Sequence, residues 1–410
     1  MRLDQIFLFL TIALTGTVYV VLFGNILSVL AIIVLLVLFL KDLQHGINRN
    51  SLLTYIVITL SLGFFLTLHY LLVPFENDSL PYITFYLRSA FIGLFLVYIK
   101  SKNINLINLL HPVLKVIAIH ALIAFILSFI VGNFLFNITT SNIYTNSFIY
   151  LFFYNSSFDL FGITFYRNQG IFWEPGILQI YMNILFFISS FIFKNRKLQV
   201  LSVFLIFTTY STTGIGILLL QFVVILFSKN TSIVQKLIIL SSLAIVTLPL
   251  FIFNYQSKLK DSATANTEVT SSVLRIYDFV EGVNLTIRYP ITGLGLSEKT
   301  YQRVKNNENS ILNGYSQEFI DNIFDRRSSN SIMYFLSRFG MLFSFFWFYY
   351  LFKQRIVINK KWLFFVIIIL ANFSEPLIMA PFFILIVCSG LYESFRFTNS
   401  QTLPLIKYVK

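Results

Sequence analysis

Two guanidiniums, Arg275 and Arg288, are followed by the turn-forming string YPITGLGLSEKTYQ over residues 289–302. Paired arginines are suited to holding a pyrophosphate in bidentate fashion, and glycines let backbone N–H groups approach an oxyanion. The plainer alternative is a solvated loop with surface ion pairs and a glycine turn, and GLG is too short to count as a phosphate-binding fingerprint. A second polar run, RNQGIFWEPG over residues 167–176, sets Arg167 and Glu174 seven positions apart just before an apolar stretch. Gly170 and Pro175 punctuate it, which predicts an irregular re-entrant segment that turns helical only after Pro175. Such backbone is tolerated at membrane depth only where it lines a wet cavity. Alternatively, Arg167 snorkels to the interface, Trp173 joins an aromatic belt and Glu174 pairs locally.

Further candidates lie at other boundaries between polar and apolar sequence. In SSNSIMYFLSRFG, residues 328–340, Asn330 could hydrogen-bond a sugar or phosphate oxygen, with Arg338 about two turns further on. Ser-Asn-Ser is equally a good helix N-cap. Arg88 lies inside an apolar run, where a cation should face the bundle interior or a cavity unless it snorkels outward. The histidines, His45, His69, His111 and His120, are scattered without metal-ligand spacing, so no metal is expected. No phosphate-loop motif supports ATP hydrolysis. Acidic residues deep in apolar runs are nearly absent, with Glu174 and Glu375 both at run ends, which weakens a proton-coupled transporter.

The elements that must position these residues are membrane spans. Of 410 residues 57% are hydrophobic and 11% charged, more apolar surface than a soluble domain could bury. Apolar runs long enough to cross a bilayer fall near 5–22, 25–40, 52–74, 81–99, 113–134, 174–193, 198–211, 213–228, 234–254, 331–352, 361–373 and 376–392, about twelve in all. Only Gly24-Asn25 is available to turn between the first two. The fold expected is an all-α integral membrane bundle. The net charge of +13 comes largely from Lys and Arg in alternate short loops, while PFENDSLP (74–81), STTG (211–214) and FSEP (373–376) carry none. That is the positive-inside pattern rather than a nucleic-acid surface, and it puts both termini in the cytoplasm. The N-terminus lacks a small-residue cleavage pattern and reads as a retained first helix. The lone Cys388 allows no disulfide framework.

Two extracytoplasmic segments are long: 135–173, within an N-terminal bundle of residues 1–254, and 255–330, before the C-terminal spans 331–392 and the tail 393–410. The longer segment holds nine basic and nine acidic residues. Ile276, Phe279, Val283 and Leu285 predict an amphipathic helix there, lying on the bundle.

With its motifs in this order, the chain resembles the O-antigen polymerase (Wzy) and O-antigen ligase superfamily of bacterial envelope polysaccharide assembly. The resemblance rests on Arg167, Gly170, Phe172, Glu174 and Pro175; on Tyr210-Ser-Thr-Thr-Gly214 after a short span; and on Arg275, Pro290 to Gly295 and Ser329-Asn330-Ser331. It implies a GT-C-like bundle in the bacterial inner membrane that performs inverting, metal-independent glycosyl transfer without a cofactor. Donor and acceptor would be undecaprenyl-pyrophosphate-linked glycans, with membrane lipid, a chain-length regulator and a flippase as candidate partners. Arg275 would hold the pyrophosphate leaving group, Arg167 and Arg288 would assist, and Glu174 would position Arg167 or accept the acceptor's proton. Arg88, Trp173, Asn330 and Arg338 would help to bind substrate. Ligases of the superfamily usually carry a His where Ser329 stands, which favours the polymerase; a ligase, a polysaccharide flippase and a structural assembly partner remain the alternatives.

Overall fold

The computed structural model describes residues 1–43, 49–75, 78–131, 134–139, 144–160, 163–228, 271–307 and 328–395, with residues 232, 235 and 241 singly. The expected span 234–254, the start of the longer segment and the tail beyond residue 395 lie outside the described residues. The described helices are α1 (Leu3–Gly16), α2 (Val18–Leu43), α3 (Arg49–Leu72), α4 (Leu80–Ser101), α5 (Leu106–Ser128), α6 (Pro175–Phe187, continued as a wider π turn to Ile192), α7 (Arg196–Thr208), α8 (Thr212–Ser228), α9 (Ser271–Arg288), α10 (Glu298–Asn307), α11 (Ser331–Lys353), α12 (Lys361–Ser374) and α13 (Pro381–Ser394). Six of them, α2 to α6 and α11, are long and apolar enough to cross a membrane; α1, α8, α12 and α13 are shorter apolar helices. The protein is a mostly helical membrane protein. Every residue of α6 is buried, so this helix is the axis about which the others pack.

Side-chain contacts tie helix ends together at two poles. At one, Ser331 Oγ at the start of α11 donates to the Asn372 carbonyl near the end of α12 at 3.0 Å, and Phe382 N at the start of α13 donates to Thr15 Oγ1 near the end of α1 at 3.2 Å. His69, in the last turn of α3, meets Tyr82, in the first turn of α4, at 2.8 Å. At the opposite pole Lys100, ending α4, pairs at 2.5 Å with Glu393, ending α13, and Tyr392 donates to Ser51 at the start of α3 at 2.8 Å. Helices α3, α4 and α13 therefore each run from pole to pole.

Three features depart from the expected string of spans. The first break falls at Thr17 rather than at Gly24-Asn25. Thr17 is extended because it forms an antiparallel bridge with Phe172, in which Val18 N donates to the Ile171 carbonyl at 3.1 Å and Trp173 N to the Gly16 carbonyl at 3.2 Å. Helix α2 then passes through Gly24-Asn25 with only Phe23 off helical geometry. Second, five short strands lie among the described residues between 136 and 166, an exception to the all-α reading. β1 (Phe136–Thr139), β2 (Tyr144–Phe148) and β3 (Phe152–Tyr154) make one antiparallel sheet, and β4 (Ser157–Leu160) pairs with β5 (Ile163–Tyr166). Aromatic and β-branched residues recur through this stretch and suit a pleated, half-buried surface.

Third, α11 is broken at Gly340 (φ 71°, ψ 172°), nine residues and so about 13 Å from its start. In an unbroken helix Met341 N would donate to the Ser337 carbonyl. Here Met341 N donates instead to Pro290 O at 2.6 Å, while the Ser337 and Arg338 carbonyls accept from Leu294 N and Gly295 N, each at 2.9 Å. The turn after α9 thus takes up the hydrogen bonds that the break releases. Arg338 locks it, donating to the Gly295 carbonyl at 3.1 Å and to the Leu296 carbonyl, and pairing with Glu298 at 2.9 Å. His69 Nε2 lies 2.7 Å from the Thr292 carbonyl, so that nitrogen carries the proton and Nδ1 accepts from Tyr82.

The expected amphipathic helix is α9, but its burial differs from the sequence pattern. Leu285 is buried while Ile276 and Phe279 are exposed, and the face turned to α11 carries Tyr277, Asp278, Glu281 and Gly282. Asp278 accepts from Ser329 N at 2.7 Å and Ser329 Oγ at 2.6 Å, and a Cβ on Gly282 would come 2.5 Å from that of Met333.

A Cβ at Gly340 would lie 2.2 Å from the Ile291 carbonyl oxygen, in a left-handed conformation. Gly340→Ala should cost about 2 kcal/mol or more, read as a lowered unfolding midpoint of the detergent-solubilised protein. Gly216→Ala, where nothing lies within 4 Å of the added carbon, should leave the midpoint unchanged or raise it.

Candidate functional site

The run 167–174 is irregular and helix begins at Pro175, with proline at the position whose N–H has no intrahelical partner. Protein on both sides satisfies its backbone. Arg167 N donates to the Ser156 carbonyl at 2.9 Å and Asn168 N to the Thr208 carbonyl at 2.9 Å. The Asn168 amide reaches the Ala121 carbonyl and Thr208 Oγ1, both at 3.0 Å, and its own oxygen accepts from Gly170 N at 3.1 Å. Gly170 takes φ 57°, which a side chain would oppose.

This scaffold aims Arg167 at the end of α7. Its Nε donates to the Thr209 carbonyl at 3.1 Å and Nη2 to the Tyr210 carbonyl at 3.4 Å, at the negative end of the helix dipole. These contacts use part of the five-donor guanidinium. Burial and the nearby charge of Arg275 disfavour the Arg167 cation, and the carboxyls of Glu375 and Glu174 favour it.

Glu375, which the sequence shows only as an acid at the end of an apolar run, belongs to the site. It follows the last residue of α12 in extended conformation and is 2% exposed. Its Oε1 lies over the first turn of α6, where a Cβ on Gly176 would be 1.7 Å away. Its carboxyl lies close to that of Glu174, the exposed residue preceding α6. Burial first, and the Glu174 charge next, push Glu375 well above the usual carboxylate range, while Arg275 and Arg167 pull the other way. The neighbouring Glu174 charge disfavours ionisation of Glu375, as a like charge close by does. A signal was present: Phe-Trp-Glu-Pro at 172–175 is echoed by Phe-Ser-Glu-Pro at 373–376.

The site therefore joins Arg167 and Glu174 of the re-entrant run, Glu375 after α12 and half-buried Arg275 of α9. Two guanidiniums can bind an anion there, and a carboxyl pair can hold or accept a proton beside it.

Other candidates fall elsewhere. Arg288 is thirteen residues from Arg275 on one continuous helix, about 20 Å along its axis, so the two do not form a joint pyrophosphate clamp. The 290–295 glycines make no oxyanion cradle, since the amides of Gly293, Leu294 and Gly295 already donate to carbonyls. Arg338 holds that turn from inside α11. Asn330 is the N-cap of α11, accepting from Met333 N at 3.1 Å. Trp173 is half-buried against the core and its carbonyl accepts from Asn155. Arg88 is exposed on α4, on the face that carries Ile83 and Leu87, and not turned into the bundle as expected. Among the described residues no group of three or more His, Cys, Asp or Glu side chains could hold a metal ion.

A carboxyl raised in the folded state contributes stability that is complete below the ordinary carboxylate range and is lost as pH rises toward the raised value. Unfolding midpoints should therefore fall as pH rises above the ordinary carboxylate range, and Glu375→Gln should flatten that slope. An unchanged slope would show that Glu375 does not titrate with the fold. Compared with known proteins, the chain matches no family model and no curated protein.

Proposed function

We propose that the protein is a membrane glycosyltransferase that joins undecaprenyl-pyrophosphate-linked oligosaccharide repeat units into O-antigen or a related surface polysaccharide. The observation that carries this reading is the meeting of Arg167 and Arg275 with the carboxyl pair Glu174–Glu375 at one pole of a membrane bundle. The acceptor hydroxyl oxygen bonds to the anomeric carbon of the donor as that carbon's bond to the diphosphate breaks. The diphosphate leaves with the electron pair, and Arg275 and Arg167 stabilise its growing charge. Glu174 takes the hydroxyl proton while Glu375 fixes its position and protonation. Attack opposite the leaving group inverts the anomeric centre, and no metal is required.

The opposite pole bears Lys100, Lys353, Arg355 and Lys361, as a cytoplasmic face should. The reading takes the site to be extracytoplasmic, at the bacterial inner membrane, in a bundle of about twelve spans. Ser329, bonded to Asp278 where ligases usually carry a His, favours polymerase over ligase.

Glycan ladders from cells lacking the native gene and complemented with each variant test the reading. Wild type should restore long chains, and well-expressed Arg275→Ala should lower polymerisation about 100-fold or more, leaving single repeat units. Arg288→Ala should ladder nearly normally. Normal ladders from Arg275→Ala would remove it from the site, and long carrier-linked chains that accumulate unattached in the null strain would make the protein a ligase.

A further inference from the structure

Helix α9 is amphipathic in a sense that water does not support. Its covered face holds Tyr277, Asp278 and Glu281, at 6%, 5% and 5% exposure, whereas Ile276, Phe279, Val280 and Ile287 are exposed at 66%, 40%, 37% and 66%. At roughly 100° per residue these four share one face. In the turn that follows, Ile291 is 64% exposed and extends the stripe.

The stripe is continuous with the side of a spanning helix. The Ile291 carbonyl packs on Gly340 in the middle of α11, where the next residues, Met341 and Leu342, are exposed at 49% and 50%. One turn further along α11, Phe345 is also exposed. Toward its other end α9 sets Phe279 against Phe373 in the last turn of α12, with ring centroids 6.4 Å apart. Thr292, beside the stripe, is tied to His69 within the last turn of α3. The stripe thus lies at the depth where spanning helices end, joined to surface that must face lipid. Arg275 and Arg288 stand near its two ends, as basic residues do beside an apolar face at a phosphate-rich interface.

We propose that α9 and the turn after it lie in the membrane interface at the site pole, with Ile276, Phe279, Val280, Ile287 and Ile291 turned into the acyl chains of the adjacent leaflet. The inference does not depend on the glycosyltransferase reading. Lipid contact would hold the helix that carries Arg275 level with the carboxyl pair, so the position of Arg275 would be set partly by the bilayer.

The test uses the full-length chain in vesicles. Cys388 is buried, so the unlabelled wild type is the blank. An environment-sensitive fluorophore is attached at Ile276→Cys, Val280→Cys or Ile287→Cys, and at Ile291→Cys outside the helix. Leu60→Cys on the exposed face of α3 is the lipid reference, and Lys299→Cys on α10 the aqueous one. Lipids brominated at shallow acyl positions should quench most of the emission at the four stripe positions, while iodide should quench only Lys299→Cys. Iodide quenching of the stripe would overturn the proposal by placing it in water. Protection from both quenchers would overturn it too, by showing that a protein surface or a second copy covers the stripe.

Discussion

A helix broken where protein packs against it releases backbone amides and carbonyls that need new partners, and each one left buried and bare costs several kcal/mol. In this protein the turn 290–295 takes up those released at Gly340 of α11, exchanging hydrogen bonds with Ser337, Arg338 and Met341. Much of the rest depends on that exchange. The turn is the direct continuation of α9, so its docking fixes one end of the helix that carries Arg275, and Asp278 on Ser329 fixes the middle. Arg338, buried among spans, is accounted for by the same need: a cation whose donors go to two carbonyls and to Glu298 closes the turn over the break.

A second irregular segment solves the same problem at the site. The run 167–174 inserts between the end of α1, the end of α7 and α5, bridging Thr17 and bonding to Ser156, Thr208 and Ala121. The site sits at the run 167–174, and Arg275 reaches it from the end of α9 remote from the turn 290–295. Both non-helical insertions are held from several helices at once, which is the rigidity that a charged cluster in a low-dielectric setting needs if its geometry is to persist.

How much of this was legible depended on whether the cause was local. The irregular stretch before Pro175 was readable because glycine and proline act on their own backbone. Ser-Asn-Ser could be recognised as a cap for the same reason. The break at Thr17 was not readable, because the strand that bridges it lies far along the chain, and Gly24-Asn25 looked the better turn. Arg275 and Arg288 looked like a pair in sequence, yet one unbroken helix separates them. Periodicity identified α9 but assigned its faces as though water lay on its outer side; Ile276 and Phe279 were expected on the bundle and Asp278 is there instead.

Glu375 shows what the combination achieves. Alone, a carboxyl 2% exposed at the end of an apolar helix would stay neutral; alone, Arg167 and Arg275 would repel each other. Brought together over Gly176, the two acids set negative charge beside two guanidiniums, which in turn favour the charged form of Glu375. The remaining positive charge is then available to an incoming anion. Glycine at 176 is what permits the approach, since any larger residue would occupy the space of the Glu375 carboxyl. Such a cluster is stable when empty because its own acids partly neutralise it. An anion entering the site would meet two guanidiniums whose charge those acids offset only in part.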